Sequence, residues 1–362
     1  MSARRVVLAA PCTTVEEGNP YIGQLYRQVG AHGYDVRPFS RRALLGRPEV
    51  IHVHWPEQLV RWSASGTTAW TDVVKVLGLL CLARLRGSQI VWTAHNLHPH
   101  DVTRPRLTGA YLRAFGALTS GVLSLSDAAT RALEREHRWL ARKQVRTVVH
   151  GHYRDLYPRQ TSQTAARRGL GLAPQSRIIL VLGQIRRYKQ VPELIDRMES
   201  RNDPTLCLVV AGRVEDDELR QELLAASGPH TVLRLGHVPD AELPLLHAAA
   251  DIVVLPYSGP SVLNSGAAIL ALSLARPVVV RRSEPMEELR DTVGADWVHL
   301  FDGGPEQALD VAAAVEPPRD ETRPDLSALD WGRIGAQTCE FFDELVAAAP
   351  RGFWTGSRRR SD

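Results

Sequence analysis

Short runs of consecutive apolar residues alternate with longer stretches of helical spacing along nearly the whole chain. RRVVLAA is followed by an amphipathic stretch from Tyr21 to His32, then by VIHVH, and then by a helical stretch from Thr71 to Arg86. QIVWTA, a helical Leu107–Gly116, GVLSL, a helical Asp127–Arg142 and VRTVVH complete a first series. The pattern restarts at SRIILVLG, after a connector rich in Thr, Gln, Ser and Arg (Gln160–Arg168), and continues through TLCLVVAG, TVLRLG, DIVVLP, RPVVV and DWVHL. Strands of a parallel sheet are buried on both faces, so they read as continuous apolar runs rather than alternating ones. Strands separated by helix-length spacers indicate βαβ units. The pattern therefore predicts an α/β chain of two Rossmann-like, doubly wound domains facing a central cleft, with ligands beyond the carboxyl ends of the strands. The boundaries read as 1–160 and 161–330, then a terminal helix over 331–348 crossing the domain junction, and an aperiodic basic tail over 349–362 that is expected to be mobile.

Composition narrows the class. With 44% hydrophobic and 23% charged residues the chain is globular, and wholesale disorder is excluded. Cys12, Cys81, Cys207 and Cys339 lie far apart with no C-x-x-C pair, which argues against a disulfide or zinc framework. The longest apolar run, Val76 to Ala83, is too short to span a bilayer. MSARRVVLAAP imitates a signal peptide, but VVLAA is too short for its apolar segment and reads as a first strand. A cytoplasmic protein is expected. The stretch Val73–Leu85 fits either a helix packed under the first sheet or one lying on a membrane surface.

Charge adds an asymmetry. Residues 1–160 hold 22 Arg and Lys against 11 Asp and Glu, whereas residues 161–362 hold 22 against 29. A basic first half suits an anionic surface such as a membrane or a pyrophosphate lipid, although arginines spread over a solvated face give the same count. No aromatic-interleaved basic stripe supports a nucleic-acid binder.

Three segments carry candidate chemistry. In LVLGQIRRYKQVPELI, Gly183 permits a tight turn, and Arg186, Arg187 and Lys189 cluster before a helix, as a departing diphosphate requires. In DIVVLPYSGPSVLNSGAAILALSLARPVVV, Asn264 and Ser265 are good helix caps, and Gly266 lets a ligand approach the backbone. The helix that follows is apolar all round, and its N-terminus can hold phosphate without a metal. In the first half, HVHWPE carries His52, His54 and Glu57, and WTAHNLHPHD carries His95, His98, His100 and Asp101. These segments lack cysteine and a helical H-x-x-x-H, so no metal is expected. Part of this histidine set reads as core satisfied by backbone. The rest reads as His95, with Glu57 or Asp101, handling a hydroxyl proton or the reacting group.

LGQIRRYKQVPELI, LGHVPDAELPLLHAAADIVVLPY and the segment ending ALSLARPVVV, in that order, resemble the GT-B glycosyltransferases of group 1 type. HVHWPE with WTAHNLHPHD is similar to the bacterial GDP-mannose:glycolipid mannosyltransferases among them. The resemblance implies a metal-independent hexosyltransferase with a nucleotide sugar as co-substrate, no cofactor, and a saccharide or lipid-linked acceptor, working in the cytoplasm and in contact with the inner face of the membrane through the N-terminal domain. It implies diphosphate binding by Arg186, Lys189, Asn264, Ser265 and Gly266, and nucleotide contacts from Gly183, His237, Val238, Pro256 and Tyr257. It sets His95 near the donor sugar. Two departures stand out: Val262 and Leu270 occupy the places of a glutamate pair common in the family, and Gln184 replaces an arginine. The first departure favours inversion. It also keeps a non-catalytic binding partner open, beside a non-hydrolysing sugar-nucleotide epimerase on the same scaffold.

Overall fold

The structure, a computed structural model, describes residues 5–13, 19–99, 103–157, 161–256, 263–316 and 322–349. It divides into two compact units, one of residues 1–151 with 261–264 and 329–362, the other of residues 152–260 and 265–328. Among the described residues no helix is long and apolar enough to cross a membrane.

In chain order the first unit runs β1 (Val6–Ala10), α1 (Pro20–Ala31), β2 (Asp35–Pro38), α2 (Arg41–Leu45), β3 (Val50–Val53), α3 (Gly66–Leu85), β4 (Gln89–Ala94), α4 (Pro105–Leu118), β5 (Gly121–Ser124), α5 (Asp127–Glu136) and β6 (Gln144–Thr147). All pairings are parallel, in the order β2-β1-β3-β4-β5-β6. Helix starts follow local capping chemistry. The Asn19 side chain accepts from the Tyr21 N–H ahead of Pro20, and Ser126 accepts from Ala129 at the start of α5. The single helix expected over Asp127–Arg142 breaks at His137, and a 3₁₀ turn covers Arg138–Arg142.

The second unit holds α6 (Gln163–Leu170), β7 (Arg177–Leu182), α7 (Val191–Arg201), β8 (Leu206–Gly212), α8 (Asp217–Ala226), β9 (Thr231–Leu235), α9 (Leu243–Ala249), β10 (Ile252–Leu255), α10 (Gly266–Ser273), β11 (Val278–Arg281), α11 (Glu284–Val293), β12 (Val298–Phe301) and α12 (Pro305–Ala314). Its parallel sheet has the order β12-β11-β10-β7-β8-β9. In each sheet the strand order reverses once, at β1/β3 and at β7/β10, and open parallel sheets bind ligands at such points.

The terminal helix α13 (Trp331–Ala348), expected at the junction, belongs with the first unit. There Phe342 and Leu345 join the core formed by Ile22, Leu25 and Val29 of α1. Trp331 packs against Gly151 so closely that a Cβ there would lie 2.3 Å from its ring.

Candidate functional site

At the carboxyl ends of β3 and β4 the first unit encloses a cavity of about 280 Å³. Glu57 and His95 line it with Trp55, Trp92, Trp139 and Phe115, and His54, Asn96, His98 and Glu136 also face it. Pro56 starts a short 3₁₀ turn that carries Glu57, and the turn is pinned by Tyr111 Oη and Trp62 Nε1, which donate to the Pro56 and Glu57 carbonyls at 2.8 and 2.7 Å. Burial pushes the Glu57 carboxyl above its ordinary value, so it takes up a proton more readily than a solvated glutamate. The Trp55 ring stacks on His95 at 4.4 Å. The Trp92 indole N–H is buried and has no partner among the described residues. Trp92 thus lines the cavity while its indole N–H is closed to solvent and left without an acceptor, a costly arrangement for a buried donor.

Behind this cavity runs a buried chain of polar side chains. Thr93 Oγ1 lies 2.7 Å from His52 Nε2, and Tyr26 Oη lies 3.1 Å from His52 Nδ1 and 3.0 Å from His54 Nε2. His54 Nδ1 in turn lies 2.9 Å from His95 Nε2. Burial brings His52 down to about 3, and His54 well below the ordinary histidine value with help from His52 and His95. Burial, and then His150 and His52, bring His95 to about 3. The imidazoles are therefore neutral at physiological pH, each with one N–H, and burial keeps the Tyr26 phenol protonated. A neutral imidazole that accepts at one nitrogen donates at the other, so His52 and His54 each pass the direction of a hydrogen bond across the ring, and Tyr26, with one proton, donates to at most one of them. The core histidines are satisfied by Tyr26, Thr93 and one another, not by backbone. A proton affinity this low makes His95 a poor base and suits it to directed, uncharged hydrogen bonding, which leaves Glu57 as the stronger base of the two.

The second unit presents different chemistry at its strand ends. A cavity of about 300 Å³ is lined by Gly183, Gln184, Gly212 and Arg213 after β7 and β8, by His237 and Val238 after β9, and by His247, Ala267 and Leu270 from α9 and α10. Gly212 has φ +146, and a Cβ there would lie 1.8 Å from the Gly183 oxygen. Only glycine lets the two strand ends approach so closely. Gly183 (φ +118) then opens the turn that carries Arg186 and Lys189. The Lys189 side chain is buried, and burial together with Arg186 lowers its amine to about 8. Its Nζ lies 4.0 Å from the place a Cβ on Gly183 would take. Arg187 is held instead by Glu218 and Glu222, each at 2.8 Å. The Ser265 hydroxyl caps α10 by accepting from the Ala268 N–H at 3.2 Å.

The structure thus brings Glu57 and His95 to one cavity, and Gly183, His237 and Val238 to another. Arg186, Lys189, Pro256, Ser265 and Gly266 are not among the described lining residues of the second cavity, although Lys189 lies beneath the Gly183 turn. Asn264 belongs with the first unit and Ser265 with the second. Asp101, His100, Tyr257 and Val262 lie outside the described residues. Among the polar residues lining the second cavity, Arg213 and His247 escaped the sequence reading. Arg213 directly follows the strand-end Gly212, a usable signal. His247 sits in the middle of an apolar helix, where Arg276 caps the Ala248 carbonyl and binds the His247 carbonyl at 2.7 Å. Among the described residues no group of three or more His, Cys, Asp or Glu is arranged to hold a metal ion.

Residues 162–288 match the family model for group 1 glycosyl transferases. The chain is 35% identical to a GDP-mannose:glycolipid 4-beta-D-mannosyltransferase of Xanthomonas campestris pv. campestris over 334 residues, covering 88% of this chain and 86% of the relative. The fold is similar to that of the sucrose-phosphate synthase of Thermosynechococcus elongatus, with TM-score 0.66 and 17% identity over 96% of this chain and 100% of that one. It is also similar to a glycosyltransferase of Rickettsia africae, with TM-score 0.62 and 9% identity over 96% and 100%.

Proposed function

The chain belongs to the group 1 glycosyltransferases of GT-B fold and is a hexosyltransferase, and on that premise we propose that it moves mannose from GDP-mannose to a hydroxyl of a lipid-linked saccharide, with inversion and without a metal ion. The likeness to the Xanthomonas enzyme over 88% of the chain carries this reading. The donor binds the second unit, where Gly183 opens the turn beside the cavity and Arg186, Lys189 and the N-terminus of α10 neutralise the charge that grows as GDP leaves. Those cations supply the role a metal ion would otherwise fill. The acceptor sugar occupies the aromatic cavity of the first unit, with its apolar face against Trp55. Glu57 takes the proton as the acceptor oxygen bonds to the anomeric carbon and the bond to the diphosphate oxygen breaks, with its electron pair leaving on GDP. Leu270, in the donor cavity where many relatives carry a glutamate, fits a single displacement.

The test is a transfer assay with GDP-mannose and a lipid-linked oligosaccharide acceptor. The expected product is a β-mannoside, identified by the one-bond carbon–proton coupling at its anomeric centre, formed equally well with EDTA present. An α-mannoside rejects inversion, and activity that EDTA removes and magnesium restores rejects the metal-free step. Conversion of the donor without any acceptor favours epimerisation.

A further inference from the structure

Helix α3 is apolar on every side, yet only one side is covered. Ala69, Val73, Leu80 and Ala83 are buried, with Leu80 and Ala83 packed among Leu8, Ile51, Ile90 and Phe115. The opposite side faces solvent. Trp70 is 57% exposed, Val74 48%, Leu82 39% and Leu85 77%, and these are four of the six exposed large hydrophobic residues described. With 3.6 residues per turn, Trp70, Val74, Gly78, Cys81, Leu82 and Leu85 fall within an arc of about 120° along the whole helix. Within that arc Thr71 turns its hydroxyl back onto the Thr68 carbonyl at 2.9 Å, which removes part of its polarity from the surface. An apolar strip of this length is not left in water without a partner.

Charge selects the partner. Helices α2 and α4 pack beside α3, and the three together contain one acidic residue, Asp72, which is buried and paired with Arg61 at 2.8 Å. Arg42, Lys75, Arg86, Arg106 and Arg113 are exposed on or next to them. Lys75 and Arg86 border one edge of the apolar arc and Arg84 the other. A second copy of the chain using the same face would set these cations against their own counterparts. An anionic lipid surface meets both features: acyl chains take Trp70, Val74, Leu82 and Leu85, and headgroups take the cations.

We propose that the outer face of α3, with its border of cations, docks the first unit on anionic membrane. The docking stands on this surface alone; its use, to bring the site to a lipid-linked acceptor, rests on the reading given above. The experiment is co-sedimentation of the full chain with vesicles of phosphatidylglycerol and phosphatidylethanolamine in equal parts, and with vesicles of phosphatidylcholine alone. The parent binds the first, binds the second far more weakly, and loses binding as salt rises. The double variant Trp70→Gln/Leu85→Gln, at two solvent-facing positions, lowers partition at least about tenfold, and Lys75→Glu/Arg86→Glu lowers it by about the same factor. Both variants keep transfer to a water-soluble saccharide acceptor within about twofold of the parent, since none of these residues lines a cavity described above. A parent that stays in the supernatant, or a Trp70→Gln/Leu85→Gln variant that sediments like the parent, overturns the proposal. So does a dimer in light scattering that the same variant dissociates, because the face then pairs with a second copy. Vesicle binding without transfer to any acceptor upholds the docking and removes the reaction.

Discussion

Both units end their parallel strands in a cavity, but they equip it by opposite means. In the first, side chains do the work: Glu57, three tryptophans and His95, backed by a chain of neutral histidines reaching Thr93. In the second, the backbone does much of it. Gly212, without a Cβ, lets the two strand ends meet, Gly183 leaves the turn open, and a buried lysine sits beneath it. On the proposed assignment of donor and acceptor, the difference follows from what each partner needs. A diphosphate is large, charged and tolerant of direction, so N–H groups, a helix end and cations suffice. A sugar hydroxyl is small and neutral and is told from its neighbours only by directed hydrogen bonds and by flat faces for the ring. The scaffolds differ as well, since the first sheet reverses after two strands and the second after three.

The sharpest way to break this comparison is Glu57→Gln. If the first unit supplies the base, turnover falls by about 10²–10⁴ while the dissociation constant for GDP holds. Steady-state kinetics beside calorimetry of GDP binding reads both, and a loss below about threefold removes Glu57 from the proton transfer. Next in size are Arg186→Ala and Lys189→Ala, which should lower turnover by about 10²–10³ and weaken GDP binding while leaving acceptor binding intact. Should either variant weaken the acceptor instead, the division of labour between the units is wrong.

Much of the fold could be read from hydrophobic runs, because a strand buried on both faces has no polar positions to confuse the pattern. The strand missed altogether was β2, Asp35–Pro38, a half-polar edge strand that pairs on one side only with β1. Helix α3 was placed too short, since its first turn, Gly66–Trp70, carries small and hydroxylated residues before the apolar run begins. For the sites, the spacing of His52 and His54 marked a shared strand face, but nothing local announced Tyr26 as the group that joins them. Tyr26 reaches them from α1, 26 and 28 residues earlier in the chain. Trp92 and Trp139 reach one wall of the cavity from segments nearly fifty residues apart, a convergence set by strand order and invisible to any local pattern.

The next prediction separates the units by acid. A neutral buried histidine binds fewer protons folded than unfolded, and stability falls with falling pH wherever the unfolded chain binds more. Unfolded histidines titrate near 6.5, whereas folded His52 and His95 titrate near 3 and His150 near 4. Their contribution is complete above pH 6.5 and is lost as pH falls from there to about 4 for His150 and to about 3 for His52 and His95, by up to about 1.4 kcal/mol per pH unit for each group. The second unit holds one comparable histidine, His247, at about 4. Hydrogen exchange at pH 7 and pH 5 should therefore show protection lost first in β1, β3 and β4. Equal loss in β7, β8 and β10 would mean that the histidine chain does not set the weaker unit.

The smallest effect runs in the opposite direction of pH. Because burial and Arg186 hold the Lys189 amine near 8, it is charged at pH 7 and mostly neutral at pH 9. A diphosphate beside it favours the ammonium, so above pH 8 binding must take up a proton, and GDP affinity should fall by about fivefold from pH 8 to pH 9. GDP and the remaining side chains titrate too, and the control for them is Lys189→Arg, whose guanidinium stays charged throughout. Measured side by side, the parent should lose affinity across that interval while the arginine variant holds it. Superimposable profiles would take Lys189 away from the diphosphate, and the second cavity would then depend on backbone and Arg186 alone.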